Sequence, residues 1–134
     1  MTRLTEIEQI GSSYVDRLED AGVETVEALL AACRTAAGRI ELGRRTGISE
    51  NLLLGWAQRA ELETIDNLSE EFADLIEAAG VGGLQQLAEF DEAELLELLE
   101  RSNERSQIVI ELPDPYQVSD WISQAKSLPR LIEY

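Results

Sequence analysis

Leu4-Thr5-Glu6-Ile7-Glu8-Gln9-Ile10-Gly11-Ser12-Ser13-Tyr14-Val15-Asp16 stands near the start of this chain. Fifty-eight positions later the chain says nearly the same thing in Leu62-Glu63-Thr64-Ile65-Asp66-Asn67-Leu68-Ser69-Glu70-Glu71-Phe72-Ala73-Asp74. The match runs on through Glu19/Glu77 and Ala21-Gly22-Val23/Ala79-Gly80-Val81 to Leu29/Leu87. Over Leu4–Leu29, 8 of 26 aligned positions are identical, and most of the others keep their polarity. A duplication of this length predicts two similar helical units sharing one core. The class expected is all-α, from tandem repeats.

Composition agrees. Leu, Ala and Glu dominate, proline is scarce and aromatics are 5%, which is a helix-forming mixture. Apolar content of 44% over 134 residues suffices for a folded domain. The apolar runs are too short for a membrane span, and Met1–Glu6 lacks the apolar stretch of a signal peptide. Cys33 is the single cysteine, so no internal disulfide can form, and the expected compartment is the cytoplasm. The net charge of −16 is unevenly spread. Residues 1–60 hold 7 Arg against 9 acids, whereas residues 61–134 hold 3 Arg and 1 Lys against 18 acids. The second half should repel nucleic acid and anionic lipid and could attract a basic partner; otherwise it is a solvated surface.

Local signals divide the chain into elements. Thr5 with Glu8 forms a possible capping box, and Ile7 and Ile10 bracket a tight turn ending at Gly11. A helix from about Ser12 to Ala21 carries Tyr14, Val15 and Leu18 on one face and stops at Gly22. Thr25, Thr35 and Ser49 are caps for three further helices, the second ending at Gly47 and the third carrying Trp56 and Ala60. In the second unit Ser69 caps a helix that Gly80 stops, a short helix carries Leu84 and Leu87, and Asp91 with Glu94 reads as a capping box. Ile108-Val109-Ile110 has strand-like composition but is too isolated for a sheet, so Ser106–Leu112 reads as a helix end plus a packed connector. Asp114-Pro115 starts a last helix with Val118, Trp121, Ile122 and Ala125. The expected organisation is a single domain over 1–134, with units at 4–60 and 62–126 and a docked C-terminal tail at 127–134.

The pattern Ile7-Glu8-Gln9-Ile10-Gly11-x-x-Tyr14-x-x-x-Leu18-x-x-Ala21-Gly22-Val23-x-Thr25-x-x-x-Leu29 resembles a helix-hairpin-helix unit. The whole chain resembles a bacterial family of unknown function, common in cyanobacteria and built from two such units. Thr35–Arg39, Thr46–Ser49, the second unit's Phe72-x-Asp74-Leu75-Ile76-Glu77-Ala78-Ala79-Gly80-Val81, and Trp121–Tyr134 carry the rest of that likeness. The resemblance implies a backbone-phosphate site where a hairpin keeps two glycines, because glycine lets backbone N–H groups approach an anion. Here Gln9, Asn67 and Ser69 fill three of the four glycine positions and Gly11 alone remains. Glu70-Glu71 then lie beside the second hairpin, where they would repel a phosphate.

A second nucleic-acid signal is Leu42–Trp56, which has helix-turn-helix spacing beside the basic residues Arg34, Arg39, Arg44 and Arg45. Its would-be recognition helix opens on Glu50-Asn51 and offers no cation until Arg59. Catalysis finds little support. The chain has no histidine, and Cys33 sits in the apolar run Leu29–Cys33. Glu94, Glu97, Glu100 and Glu104 fall at the spacing of a solvated helix face. No metal or cofactor motif is present, so no catalytic, metal or cofactor site is expected. The leading expectation is a non-enzymatic scaffold that serves a protein partner of basic character. Its candidate faces are the acidic half and an apolar groove near Leu128–Tyr134. The alternative is a nucleic-acid accessory protein using Gly11, Arg34, Arg39, Arg44 and Arg45. A basic face joining those residues would favour the alternative, and arginines neutralised by neighbouring acids the scaffold.

Overall fold

The computed structural model describes residues 3, 4 and 10–134. The expected Thr5–Glu8 capping box and the hairpin positions Ile7 and Gln9 lie outside the described residues. Among those described, the chain is all-α. Helices α1 (Ser12–Asp20), α2 (Val26–Cys33), α3 (Ala36–Thr46) and α4 (Glu50–Leu62) are followed by α5 (Glu70–Ala78), α6 (Gly83–Glu89), α7 (Glu92–Ser106) and α8 (Pro115–Ser127). One isolated antiparallel bridge joins Arg3 to Thr25.

The caps that the sequence announces are made. Thr25 and Thr35 accept from the amides of Ala28 and Gly38, each at 3.0 Å. Ser49 and Ser69 accept from Leu52 and Phe72. Asp91/Glu94 and Asp114/Gln117 close full capping boxes at the starts of α7 and α8. Each such cap satisfies a backbone donor that the first helical turn leaves unpaired. The helix stops repeat as well. Gly22 (φ +88°) and Gly80 (φ +87°) turn left-handed, which an L side chain resists. Past them the Val23 amide donates to Leu18 O and the Val81 amide to Ile76 O, at 2.8 and 3.2 Å. These bonds sit 58 residues apart, the offset of the sequence repeat.

The chain separates into two compact units, Met1–Ala60 with Leu131–Tyr134, and Glu61–Arg130. Where the duplication suggested one shared core, the buried apolar side chains sort into two clusters. In the first unit Val15, Leu18, Leu29, Leu53 and Trp56 pack together with Ile132 from the C-terminal tail. In the second, Leu75, Ile76, Leu87, Leu95, Leu99 and Trp121 form the cluster, with α8 lying against α6 and α7. The tryptophans occupy matching environments. Tyr14 meets Trp56 at 5.2 Å between ring centroids, and Phe72 meets Trp121 at 5.3 Å, both tilted. Tyr14 and Phe72 are repeat-equivalent, so each unit is plugged by the same tilted aromatic pair.

Polar groups close the loops. The Gln124 side-chain amide brackets the Asp66 backbone, accepting from its N–H at 2.8 Å and donating to its C=O at 3.0 Å. Glu61 is buried and its carboxylate accepts from the Leu84 amide at 2.8 Å, which supplies the cap that Gly82 cannot. Among the described residues no buried side-chain polar atom lacks a partner. After α7 the chain turns at Gln107 in the left-handed region (φ +51°). Asn103 then grips Val109, donating to its C=O and accepting from its N–H, both at 3.0 Å. The connector is packed only in part: Val109 and Pro113 are buried, whereas Ile110 and Leu112 face out.

Candidate functional site

Gly11 precedes α1 at φ +76° and is exposed, with open space where a side chain would be. The four arginines of the sequence pattern do not gather into a free basic face. Arg39 is buried. Its Nη1 donates to Cys33 O at 2.8 Å, Glu133 O at 3.2 Å and Arg34 O at 3.4 Å. Arg45 donates to Ala21 O at 2.6 Å, at the end of α1. Arg34 lies 3.8 Å from the Glu133 carboxylate, and Arg44 lies 3.6 Å from that of Glu41. Two of these cations therefore stabilise helix C-termini, where carbonyls are unpaired, and two sit beside acids.

The helix-turn-helix spacing is likewise absorbed by packing. Leu42, Ile48 and Leu53 are buried, Glu50 and Asn51 are exposed, and Arg59, the first cation of α4, is buried. Cys33 is fully buried as well. Burial pushes its thiol up to about 11, and the nearby Arg39 charge opposes this only in part. A thiol held there is protonated at neutral pH, and only the thiolate is a nucleophile. Glu94, Glu97, Glu100 and Glu104 are all exposed along α7, with Glu97 paired to Arg101 one turn on. Among the described residues no group of three His, Cys, Asp or Glu side chains could hold a metal ion. No helix among them is long and apolar enough to cross a membrane.

The C-terminal tail docks on the first unit. Ile132 is buried in the first cluster. The Glu133 amide donates to Arg34 O at 2.6 Å, and Gln58 donates to the Tyr134 hydroxyl at 3.1 Å. Sequence reading grouped Arg39 with the exposed cations. Its place near the start of α3 held no sign of a contact 94 residues away.

Two surface features of the second unit stand out instead. Ile110 and Tyr116 are 103% and 87% exposed, and Leu112 lies between them at 41%. Neighbours pin this stretch on both sides: the Asn103 grip on Val109, buried Pro113, and the Asp114 capping box. The second feature is an open groove of about 350 Å³ where the ends of α5 and α6 meet α7. Val81, Phe90 and Leu98 give it apolar walls, Glu89 and Glu94 line it as well, and among the described residues no arginine or lysine lines it.

A family model described as "Domain of unknown function (DUF4332)" matches residues 8–128. That is nearly the whole chain, and the protein belongs to that family. Searches of the curated proteins and of the solved structures return no match.

Proposed function

We propose that this member of the DUF4332 family is a non-enzymatic helical interaction module. It is built from two degenerate helix-hairpin-helix units of a bacterial protein, and it holds a basic protein partner in the cytoplasm. The observation that carries the reading is the Ile110–Tyr116 stretch. Two large apolar side chains are displayed almost fully to solvent on a backbone fixed at both ends. Apolar residues held rigidly outward in a short stretch mark interaction surfaces. The surrounding unit, with 17 acids against 4 cations over residues 61–130, favours a partner of opposite charge.

The engagement of the arginines supports this reading over nucleic-acid binding. A phosphate backbone would have to compete with the Ala21, Cys33 and Glu133 carbonyls and with two carboxylates for the same cations. The test is photo-crosslinking in the native host from Tyr116→p-benzoylphenylalanine, with Ser123→p-benzoylphenylalanine as the control. A discrete protein adduct from position 116 that is lost with Ile110→Ser is the expected result. Absence of any 116-specific protein adduct overturns the reading. So does micromolar duplex binding that weakens with salt and is lost in Arg44→Ala/Arg45→Ala.

A further inference from the structure

The two units end their first helices in the same way but complete them differently. In the first unit the carbonyl of Ala21, which closes α1, receives the Arg45 guanidinium at 2.6 Å, and Arg17 lies in the last turn. In the second unit the repeat-equivalent Ala79 closes α5, the last turn holds no basic residue, and Ala79 and Gly80 line the open groove. The end of α6 lines it too, through Glu89 and Phe90, again with no basic residue in the last turn. Helix C-termini carry partial negative charge. The residues at two such ends line one groove together with Glu89 and Glu94, and among the described residues no cation lines it. Glu94 lends one oxygen to the Asp91 amide at 3.3 Å, which fixes its position.

We infer that this groove takes the guanidinium of an arginine on the protein partner, the role that Arg45 fills internally in the first unit. The inference rests on the interaction-module reading and deepens it by naming the chemistry of the contact. The walls suit the rest of that side chain. Val81 and Leu98 line it with apolar surface for the methylene stem, and Phe90 adds an aromatic side chain, the kind of group on which a guanidinium stacks. A guanidinium is matched to carbonyl and carboxylate acceptors presented together, because its donors are fixed in a planar fork.

The full chain, labelled with ¹⁵N, is titrated with the peptide acetyl-Leu-Arg-Leu-amide and with its citrulline counterpart, which keeps the shape and drops the charge. Expected are amide shifts centred on Gly80, Val81, Phe90 and Glu94, with none at Gly22 and Val23. The citrulline peptide should bind about fivefold more weakly or worse, as should the arginine peptide to Glu89→Gln/Glu94→Gln. Glutamine at position 94 keeps the capping box, so that variant retains its fold. Glu100→Gln/Glu104→Gln removes the same charge from α7 outside the groove and should leave binding unchanged. Shifts scattered over the acidic surface, or equal weakening by both double variants, would overturn the inference. A Tyr116 crosslink that persists while the groove stays silent removes the groove and leaves the interaction-module reading standing. Silence of both removes both.

Discussion

Replacing Arg39 by Met tests whether the cation most central to the first unit is a structural clamp. Methionine keeps an apolar stem of similar length and drops only the guanidinium. The lost contacts are the bonds to Cys33 O at 2.8 Å and Glu133 O at 3.2 Å, with the weaker one to Arg34 O at 3.4 Å. A bond from a charged donor contributes roughly 1.5–3 kcal/mol, and a buried carbonyl left without a partner costs about 1–3 kcal/mol. Release of the guanidinium from its own desolvation offsets part of that sum, so the net loss expected is about 2–4 kcal/mol. At roughly 3–4 °C per kcal/mol for a chain of this size, the melting temperature should fall by about 6–16 °C. Thermal unfolding by circular dichroism gives the shift, and thiol–disulfide exchange of Cys33 with an aromatic disulfide, which releases a coloured aryl thiolate, reports the same corner locally. The thiol is buried beneath the clamp, so its labelling should accelerate in Arg39→Met. Deleting residues 131–134 should accelerate it too, and the two changes should be less than additive, because they remove one shared contact. A variant within about 0.5 kcal/mol of the parent, the range of an ordinary surface substitution, with Cys33 equally protected, would refute the reasoning.

Trp56→Ala and Trp121→Ala should each cost about 3–5 kcal/mol in denaturant unfolding, because each leaves a cavity beside its tilted ring partner; a loss under about 1 kcal/mol at either site would contradict the matched plugs. On α7, Glu100→Lys should stabilise by a few tenths of a kcal/mol, since it gains Glu97 and Glu104 at three and four residues, whereas Glu97→Lys should be about neutral, since it gains Glu94 and Glu100 at three residues but gives up its pair with Arg101 and faces that cation instead. Equal effects of the two reversals on the melting temperature would show that α7 responds only to total charge. Cys33 predicts a pH dependence. Its thiol ionises near 9 when unfolded but is pushed up to about 11 when folded. The unfolded chain therefore binds fewer protons between those values, and stability falls as pH rises through that window. Cys33→Ala should flatten the decline measured by urea unfolding between pH 8.5 and roughly pH 11; an unchanged slope would count against it.

The sequence by itself determined whatever depends on neighbours along the chain. Thr25, Thr35, Ser49, Asp91 and Asp114 each meet an amide three positions on, and Gly22 and Gly80 stop helices through their own backbone freedom. Capping and left-handed turns are properties of a few consecutive residues, so the eight helices among the described residues were legible before any packing was known. Tertiary structure decided what long-range partners decide. The Arg39 clamp spans 94 residues, the Asp66–Gln124 bracket 58, and the Glu61 cap on α6 23. Arginines that composition groups as one basic segment divide into a buried clamp, a helix cap and two surface cations beside acids. Ile110 and Val109 are chemically alike and adjacent, yet Asn103 holds one inward and leaves the other in solvent. Burial is set by what the fold brings alongside a residue, and a one-dimensional pattern records only the residue itself.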